Sequence, residues 1–296
     1  MVKAKRNINV EICRVEGDLA PFVRVDYVDK YAEEHTGLML MDTGSNINIL
    51  SSEVNKCIGD LCRYQDSELD ITDAMGEVDI PDYVHFSFAF GGVQFNEDFA
   101  INEEWLLGSV GDLPIIGILG NNFMQKHGLA IDYSDFTVHT SNISQATLCT
   151  ADCDFIFPME VGLENYGVPV LAVHHGETDV AVIADTGCTT NVISAQGVNL
   201  SELKCEYTNE TAPLRGLKGH SEANVANVHF NLLTLAEDGV KGVLFHDFFL
   251  VVNQSFATAF RSKKHQPIEG LIGSPFMAKR GWTLDFAQKV IYKRKC

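Results

Sequence analysis

The hydrophobic residues of this chain fall in short runs, and one run shows its period plainly. VHFSFAF (84–90) alternates apolar and polar positions, then meets Gly91-Gly92 and the run VQF. This is the pattern of two half-buried strands joined by a two-residue turn. VHFNLLTL (228–235) repeats the opening of that segment, turns at AEDG and returns through GVLFHDFFLVV. Most other runs are equally short, rich in Val, Ile and Phe and punctuated by Gly, Asn and Asp, so the expectation is an all-β protein. The only repeated helical candidates follow the triplets ILG and LIG. In NNFMQKHG, Asn121 serves as N-cap and Gly128 closes the helix; in SPFMAKRG, Ser274 is the N-cap, Pro275 the first helical residue and Gly281 the stop. Segments this short hold a helix only when packed against something.

The recurrence of VHF is part of a larger repeat. At an offset of 143 positions, Asp42-Thr43-Gly44 falls on Asp185-Thr186-Gly187, Asn48 on Asn191, Ile49 on Val192, Leu50 on Ile193 and Ser51 on Ser194. Gly76 of TDAMGEV matches Gly219 of RGLKGHS at the same offset. VHF recurs at an offset of 144, FNEDFAI (95–101) resembles FHDFFLV (245–251) at 150, and GILGNNFMQKHGLAIDY (117–133) resembles GLIGSPFMAKRGWTLDF (270–286) at 153. The second copy has therefore gained about ten residues beyond its Gly219 turn without reordering its parts. The 296 residues divide into two similar lobes, 1–150 and 151–296, joined near the polar stretch TSNISQATLCTADCD (140–154).

Composition narrows the partners. With 46% hydrophobic and 21% charged residues the chain is globular. A net charge of −18, with basic residues clustered only in scraps such as KAKR and YKRKC, argues against nucleic acid. No stretch approaches the ~18 apolar residues of a membrane span, so no membrane partner is expected. MVKAKRNINVEI lacks the apolar core of a secretory signal, which makes cytoplasmic residence the default, although a trimmed secreted or periplasmic chain would begin the same way. The sequons at Asn142, Asn199, Asn209 and Asn253 have meaning only in a secreted chain. The eight cysteines (13, 57, 62, 149, 153, 188, 205 and 296) lack zinc-knuckle spacing and read as free thiols. His174-His175 reads as a surface strand pair and not a ligand set. No metal or cofactor is called for.

The duplicated acid is the remaining chemical signal. A carboxylate leaving an apolar strand, as in GLMLMDTGS or VAVIADTGC, is costly to bury alone. Pseudo-two-fold packing of the lobes would bring Asp42 and Asp185 together, as an isologous interface brings equivalent residues face to face. Two carboxyls at close range share a proton, one serving as acid and the other as base, and can activate a water held between them. Gly44 and Gly187 let backbone N–H groups approach the acids, and the hydroxyls of Thr43 and Thr186 can bond across to the opposite lobe.

With these residues in hand, the chain resembles the aspartic peptidases of the pepsin and retropepsin superfamily. The hallmark of each half, hydrophobic-hydrophobic-Asp-Thr-Gly-Ser, occurs at Asp42 and, with Cys188 in place of Ser, at Asp185. The second signature, apolar-apolar-Gly before a short helix, occurs twice, here Ile118-Leu119-Gly120 and Leu271-Ile272-Gly273. The likeness runs from about residue 8 to 292. It implies a bilobal, all-β, pepsin/retropepsin-like acid protease fold with pseudo-two-fold symmetry, and catalysis by Asp42 and Asp185 supported by Thr43, Gly44, Ser45, Thr186, Gly187 and Cys188.

The resemblance also implies a flap at each Gly-bearing hairpin tip: Ala74, Met75 and Gly76 in one half, Leu217, Lys218 and Gly219 in the other. Neither tip carries the Tyr of the single pepsin flap, so the chain looks more like two retropepsin units fused in tandem, acting as a monomer on a polypeptide bound in extended form between the lobes. No pepsin-style pro-segment is seen. The family's hydroxyl after the Gly is kept as Ser45 but replaced by Cys188, which implies weaker support for Asp185 and an inequivalent pair. The rival reading is a retropepsin-like peptide-binding or assembly module that kept the fold and lost turnover, and a third is a small-ligand carrier using the interlobe cleft.

Overall fold

A computed structural model describes residues 7–15, 18–59, 64–65, 71–72, 78–79, 82–102, 108–141, 152–159, 168–175, 178–200, 203–215, 220–236, 239–253 and 267–295. Its strands form a nine-stranded sheet in the first half, a seven-stranded sheet in the second, a six-stranded sheet drawn from both, and one two-stranded pair. At the centre of the shared sheet, Leu129–Asp132 pairs antiparallel with Thr283–Asp285, with Ile131 opposite Leu284. These positions match in the repeat at the offset of 153, so the two halves meet there as equivalent edges.

Each half threads its sheet by the same path. The strand leading to the acid (Glu34–Met41 or Thr178–Asp185) runs parallel to the later apolar-apolar-Gly strand (Leu113–Leu119 or Ile268–Gly273). The Gly strand pairs antiparallel on its other side with the strand after the acidic turn, Ile49–Ser51 or Asn191–Ser194. That strand runs parallel to the second arm of the long hairpin, Val93–Asn102 or Gly239–Val252. Parallel neighbours need a crossover between them, and here the hairpin and its flanking segments supply it. The result sets Met41 opposite Leu119 and Asp185 opposite Gly273, so each acidic turn lies against a Gly-bearing strand end.

The hairpin expected at Gly91-Gly92 joins Asp82–Phe90 to Val93–Asn102, and its buried and exposed positions alternate as the sequence does. Its counterpart, His220–Ala236 with Gly239–Val252, is longer at its closed end, which is where the offset grows from 144 to 150. The inward faces carry matched aromatics. Phe86 and Phe99 meet edge to face at 5.5 Å, as do Phe230 and Phe249 at 5.4 Å. Phe95 packs on Phe123 of one short helix at 5.2 Å, and Phe245 on Phe276 of the other at 5.6 Å. These contacts are the packing that the short helices require.

Two expectations about helices need correction. Among the described residues there are four, because Ser52–Ile58 and Ala195–Leu200 follow the strands after each acidic turn. The first carries recognisable ends, with Ser51 Oγ accepting from Glu53 N at 3.2 Å and Gly59 left-handed at φ 109°. A single short turn of helix leaves too little periodicity to be read. The expected N-caps were also misplaced. Asn121 and Ser274 are the first residues of Asn121–His127 and Ser274–Lys279, the cap positions are Gly120 and Gly273, and no side chain caps either helix. The Asn121 and Ser274 side chains are occupied by the acidic turns instead. Gly128 closes the first helix with φ 60°, and Gly281, at φ 61°, lies just past the end of the second.

His174 and His175 do end a strand, Val170–His175. Among the described residues no helix is long and apolar enough to cross a membrane.

Candidate active site

Asp42 follows the strand Glu34–Met41 and Asp185 ends its equivalent, Thr178–Asp185, and the acidic turns interlock. Thr43 N donates to Thr186 Oγ1 at 3.0 Å, and Thr186 N donates to Thr43 Oγ1 at 2.8 Å. Each hydroxyl then donates across the pseudo-two-fold axis, Thr43 Oγ1 to Ala184 O and Thr186 Oγ1 to Met41 O, both at 2.5 Å. Both threonines are fully buried, and each hydroxyl accepts one bond and donates one. Thr43→Val or Thr186→Val keeps the shape but strands a buried N–H and a buried carbonyl, so each should cost about 1 to 3 kcal/mol by urea denaturation. The pair together should cost less than the sum, since both belong to one network, and Thr→Ser should recover most of the loss.

The lock brings the acids face to face. The two carboxyls are hydrogen-bonded to each other. Gly44 N donates to Asp42 Oδ1 at 2.8 Å; Gly187 N and Cys188 N donate to Asp185 Oδ1 at 2.9 and 3.1 Å. The glycines are demanded by close approach. A Cβ built on Gly44 would lie 2.5 Å from Asp185 Oδ2, and one on Gly187 would lie 2.5 Å from the Asp42 carboxyl. Both acids keep some accessible surface, yet the turns around them desolvate the carboxyls. Burial raises the proton affinity of Asp42, and burial together with the Asp42 charge raises that of Asp185 well above the usual carboxylate range. The two titrate as a unit, holding a shared proton to higher pH than an isolated carboxyl would.

The expected contrast between Ser45 and Cys188 is not what distinguishes the two turns. Ser45 Oγ donates to Ile47 O at 2.8 Å and Cys188 Sγ to Thr190 O at 3.0 Å, so both point to a backbone carbonyl two residues on. The polar head of either side chain bends back along its own turn, where a backbone carbonyl accepts it. Burial pushes the Cys188 thiol up to about 12, which keeps it protonated and unreactive.

Four residues to which sequence reasoning gave no part in the site tie the turns to the sheet. Asn48 Oδ1 accepts from Gly120 N at 3.1 Å while its Nδ2 donates to Asp98 O at 3.1 Å. Asn191 repeats this with Gly273 N and Phe248 O, both at 3.0 Å. Asn121 Nδ2 donates to Thr43 O and to Ser45 O, and Ser274 Oγ donates to Thr186 O at 2.5 Å. The recurrence of Asn48 as Asn191 was the available signal; Asn121 and Ser274 differ in type, so comparing the halves could not mark them.

The proposed flap residues Ala74, Met75, Gly76, Leu217, Lys218 and Gly219 lie outside the described residues. The strands bounding them are described. Ile71–Thr72 pairs antiparallel with Val78–Asp79, and Lys204–Arg215 pairs with His220–Ala236 up to Arg215 opposite His220.

No protein-family profile and no curated protein sequence matches this chain significantly. Solved structures do. An aspartic proteinase from Irpex lacteus is similar over 98% of this chain and 97% of its own, with a TM-score of 0.50 and 9% identity. Basic 7S globulin from soybean is similar over 98% of this chain and 96% of its own, with a TM-score of 0.55 and 9% identity. Identity this low speaks to fold alone, and one fold can carry a proteinase or a globulin. In fold, then, this chain is an all-β bilobal protein of the pepsin-like kind.

Proposed function

We propose that the chain is an aspartic endopeptidase whose water-activating pair is Asp42 and Asp185. The observation that carries this reading is the pair itself: two desolvated carboxyls hydrogen-bonded to each other at the ends of equivalent strands. A water between them would lose its proton to the ionised carboxyl while the protonated one donates to the carbonyl oxygen of the scissile amide. The new C–O bond yields a tetrahedral diol. On its collapse a diol hydroxyl returns its proton to the ionised carboxyl, the C–N bond breaks and the leaving nitrogen takes a proton from the other carboxyl, so the original charge state returns. The fixed N–H donors, Gly44 on Asp42 and Gly187 and Cys188 on Asp185, hold the two carboxyls in place throughout, with no reorganisation at the moment of reaction.

In this reading the lobes are residues 1–150 and 151–296, the substrate lies extended between them, and the tips around Gly76 and Gly219 close over it as two flaps of a single-chain, retropepsin-like monomer. A peptide-binding module without turnover is the alternative. Against it stands the cost of keeping two carboxyls in a site that desolvates both, which a binding surface does not need.

The test is incubation of the purified protein with an unfolded, apolar-rich protein mixture from about pH 3 to about pH 8, with new termini mapped by mass spectrometry. Cleavage at consistent side-chain pairs supports the endopeptidase, and no cleavage anywhere in the range favours the binding module.

The raised proton affinity of the pair also predicts a stability trend. A carboxyl whose folded pKa lies above its unfolded value contributes stability that is complete below about pH 4 and is lost as pH rises through the folded value. The Tm of the parent should therefore gain on that of Asp185→Asn as the pH falls from 7 towards 4, in differential scanning calorimetry at matched ionic strength.

A further inference from the structure

The two acidic turns share the interlocking threonine bonds and a Gly N–H donor to each acid but differ in what stands behind them. Behind the Asp185 turn, Ser274 Oγ donates its one proton to Thr186 O, and Tyr133 OH lies 2.8 Å from that same Oγ. A carbonyl cannot donate, so the serine proton is committed to Thr186, and the bond between the two hydroxyls must be donated by Tyr133. Thr186 C=O belongs to the same peptide unit as Gly187 N–H, which donates to Asp185 Oδ1 at 2.9 Å. The Gly187 N–H also lowers the proton affinity of the Asp42 carboxyl, so this one peptide bears on both acids. Tyr133 and Ser274 are both fully buried.

Among the described residues the first half shows no such chain. Its counterpart of Ser274 is Asn121, and the position matching Tyr133 is Phe286, which has no hydroxyl to give. Asn121 Oδ1 has no hydrogen-bond partner among the described residues. The backbone frames agree, with Tyr133 N donating to Trp282 O at 2.9 Å and Phe286 N to Leu129 O at 3.0 Å. The second turn thus has what the first lacks, a phenolic hydroxyl reaching from the first lobe through a serine to its peptide.

From this we infer that Tyr133 is a positioning residue for the Asp42–Asp185 pair, acting through Ser274 and the Thr186–Gly187 peptide. Donors in series polarise one another, so the phenol strengthens the Gly187 N–H as a donor to the carboxylates and holds its peptide plane. It also makes the pair inequivalent by way of the interlobe contact and not by way of Ser45 and Cys188. The inference builds on the endopeptidase reading for its consequence in catalysis, but the proton affinity it concerns exists with or without turnover. Among the described residues the titratable groups bearing on the pair are the two carboxyls themselves and the Cys188 thiol, which burial keeps neutral.

The test compares the parent with Tyr133→Phe, Ser274→Ala and the double variant, all labelled with 13C at the Asp carboxyl and titrated by NMR. Weakening a donor to the anionic form raises its pKa, so the lower of the pair's two apparent values should rise by about half a unit to one unit in each variant. The double variant should show no more than either single change, since the groups form one chain. If peptides are cleaved, the acid limb of kcat/KM should move upward by the same amount and kcat should fall about three- to tenfold, with KM unchanged.

Titration of Tyr133→Phe at the parent's values overturns the inference, even if its Tm is lower, because a purely structural contact would alter only stability. An unshifted Ser274→Ala overturns it equally. Shifted titrations in a protein that cleaves nothing sustain the relay and sink the endopeptidase reading, so the two failures are distinct.

Discussion

Asp42→Asn and Asp185→Asn should each reduce peptide cleavage by at least about a thousandfold while leaving the fold intact. General acid–base assistance by a positioned group contributes roughly 10² to 10⁴ in rate, and here one pair provides both the acid and the base, so neither survivor can complete the cycle alone. An amide keeps the size of the carboxyl and can still accept from Gly44 N or Gly187 N, the donors that fix the acids. It also removes the repulsion that accompanies two desolvated carboxyls. Near neutral pH each variant should therefore be as stable as the parent or more so. Initial rates on a peptide chosen from the mapped termini, with Tm beside them, check both statements. A variant that stays folded and retains a tenth of the parent's rate would remove that residue from the mechanism.

Gly44→Ala and Gly187→Ala carry the second largest expectation, and their effect should cross the axis. The added methyl on Gly44 would stand 2.5 Å from Asp185 Oδ2, and that on Gly187 would stand 2.5 Å from the Asp42 carboxyl. Real Cβ atoms do not approach that closely, and the turns are pinned by the threonine lock, so the opposite carboxyl must move. A displacement of about 1 Å at a reacting group costs on the order of a hundredfold in rate, and both substitutions should reach it. Stability should fall by about 1 to 3 kcal/mol, as for overpacking elsewhere in a close-packed site. Kinetics with a denaturation curve separate the two effects. Rates within threefold of the parent would show that the turns can yield.

The proton held in common by the acids ties these results together. Tyr133→Phe alters only the strength of the donors around the pair, the glycine variants alter its geometry, and the aspartate variants remove it. A graded loss in that order is what a preorganised site should give, because fixed donors and positions act on the same charge.

Much of this architecture is legible in the chain because each lobe must satisfy the same local rules. VHFSFAF with Gly91-Gly92 can bury one face only as a hairpin, and the second copy repeats the pattern with a longer arm. The duplication itself exposed the paired Asp-Thr-Gly turns, since a lone tripeptide of that kind is an ordinary turn and only its recurrence suggested a common site. Local rules failed where a side chain had a distant employer. Asn121 and Ser274 have the composition of N-caps, yet carbonyls of the acidic turns lie within reach of their side chains and accept from them. Ser45 failed in the opposite sense, turning to its own backbone where support of the acid was expected, and Cys188 turns the same way.

The sequence by itself determined the strand-rich lobes, their duplication, the identity of the two acids and the need for glycine beside each, because alternation, turn chemistry and recurrence are properties of residue order. Tertiary structure alone decided that each glycine faces the other lobe's acid, that the threonines interlock, and that a phenol from the first lobe backs the turn of the second. Those contacts join residues more than a hundred positions apart, and no local pattern encodes which of two equivalent turns a buried hydroxyl will reach.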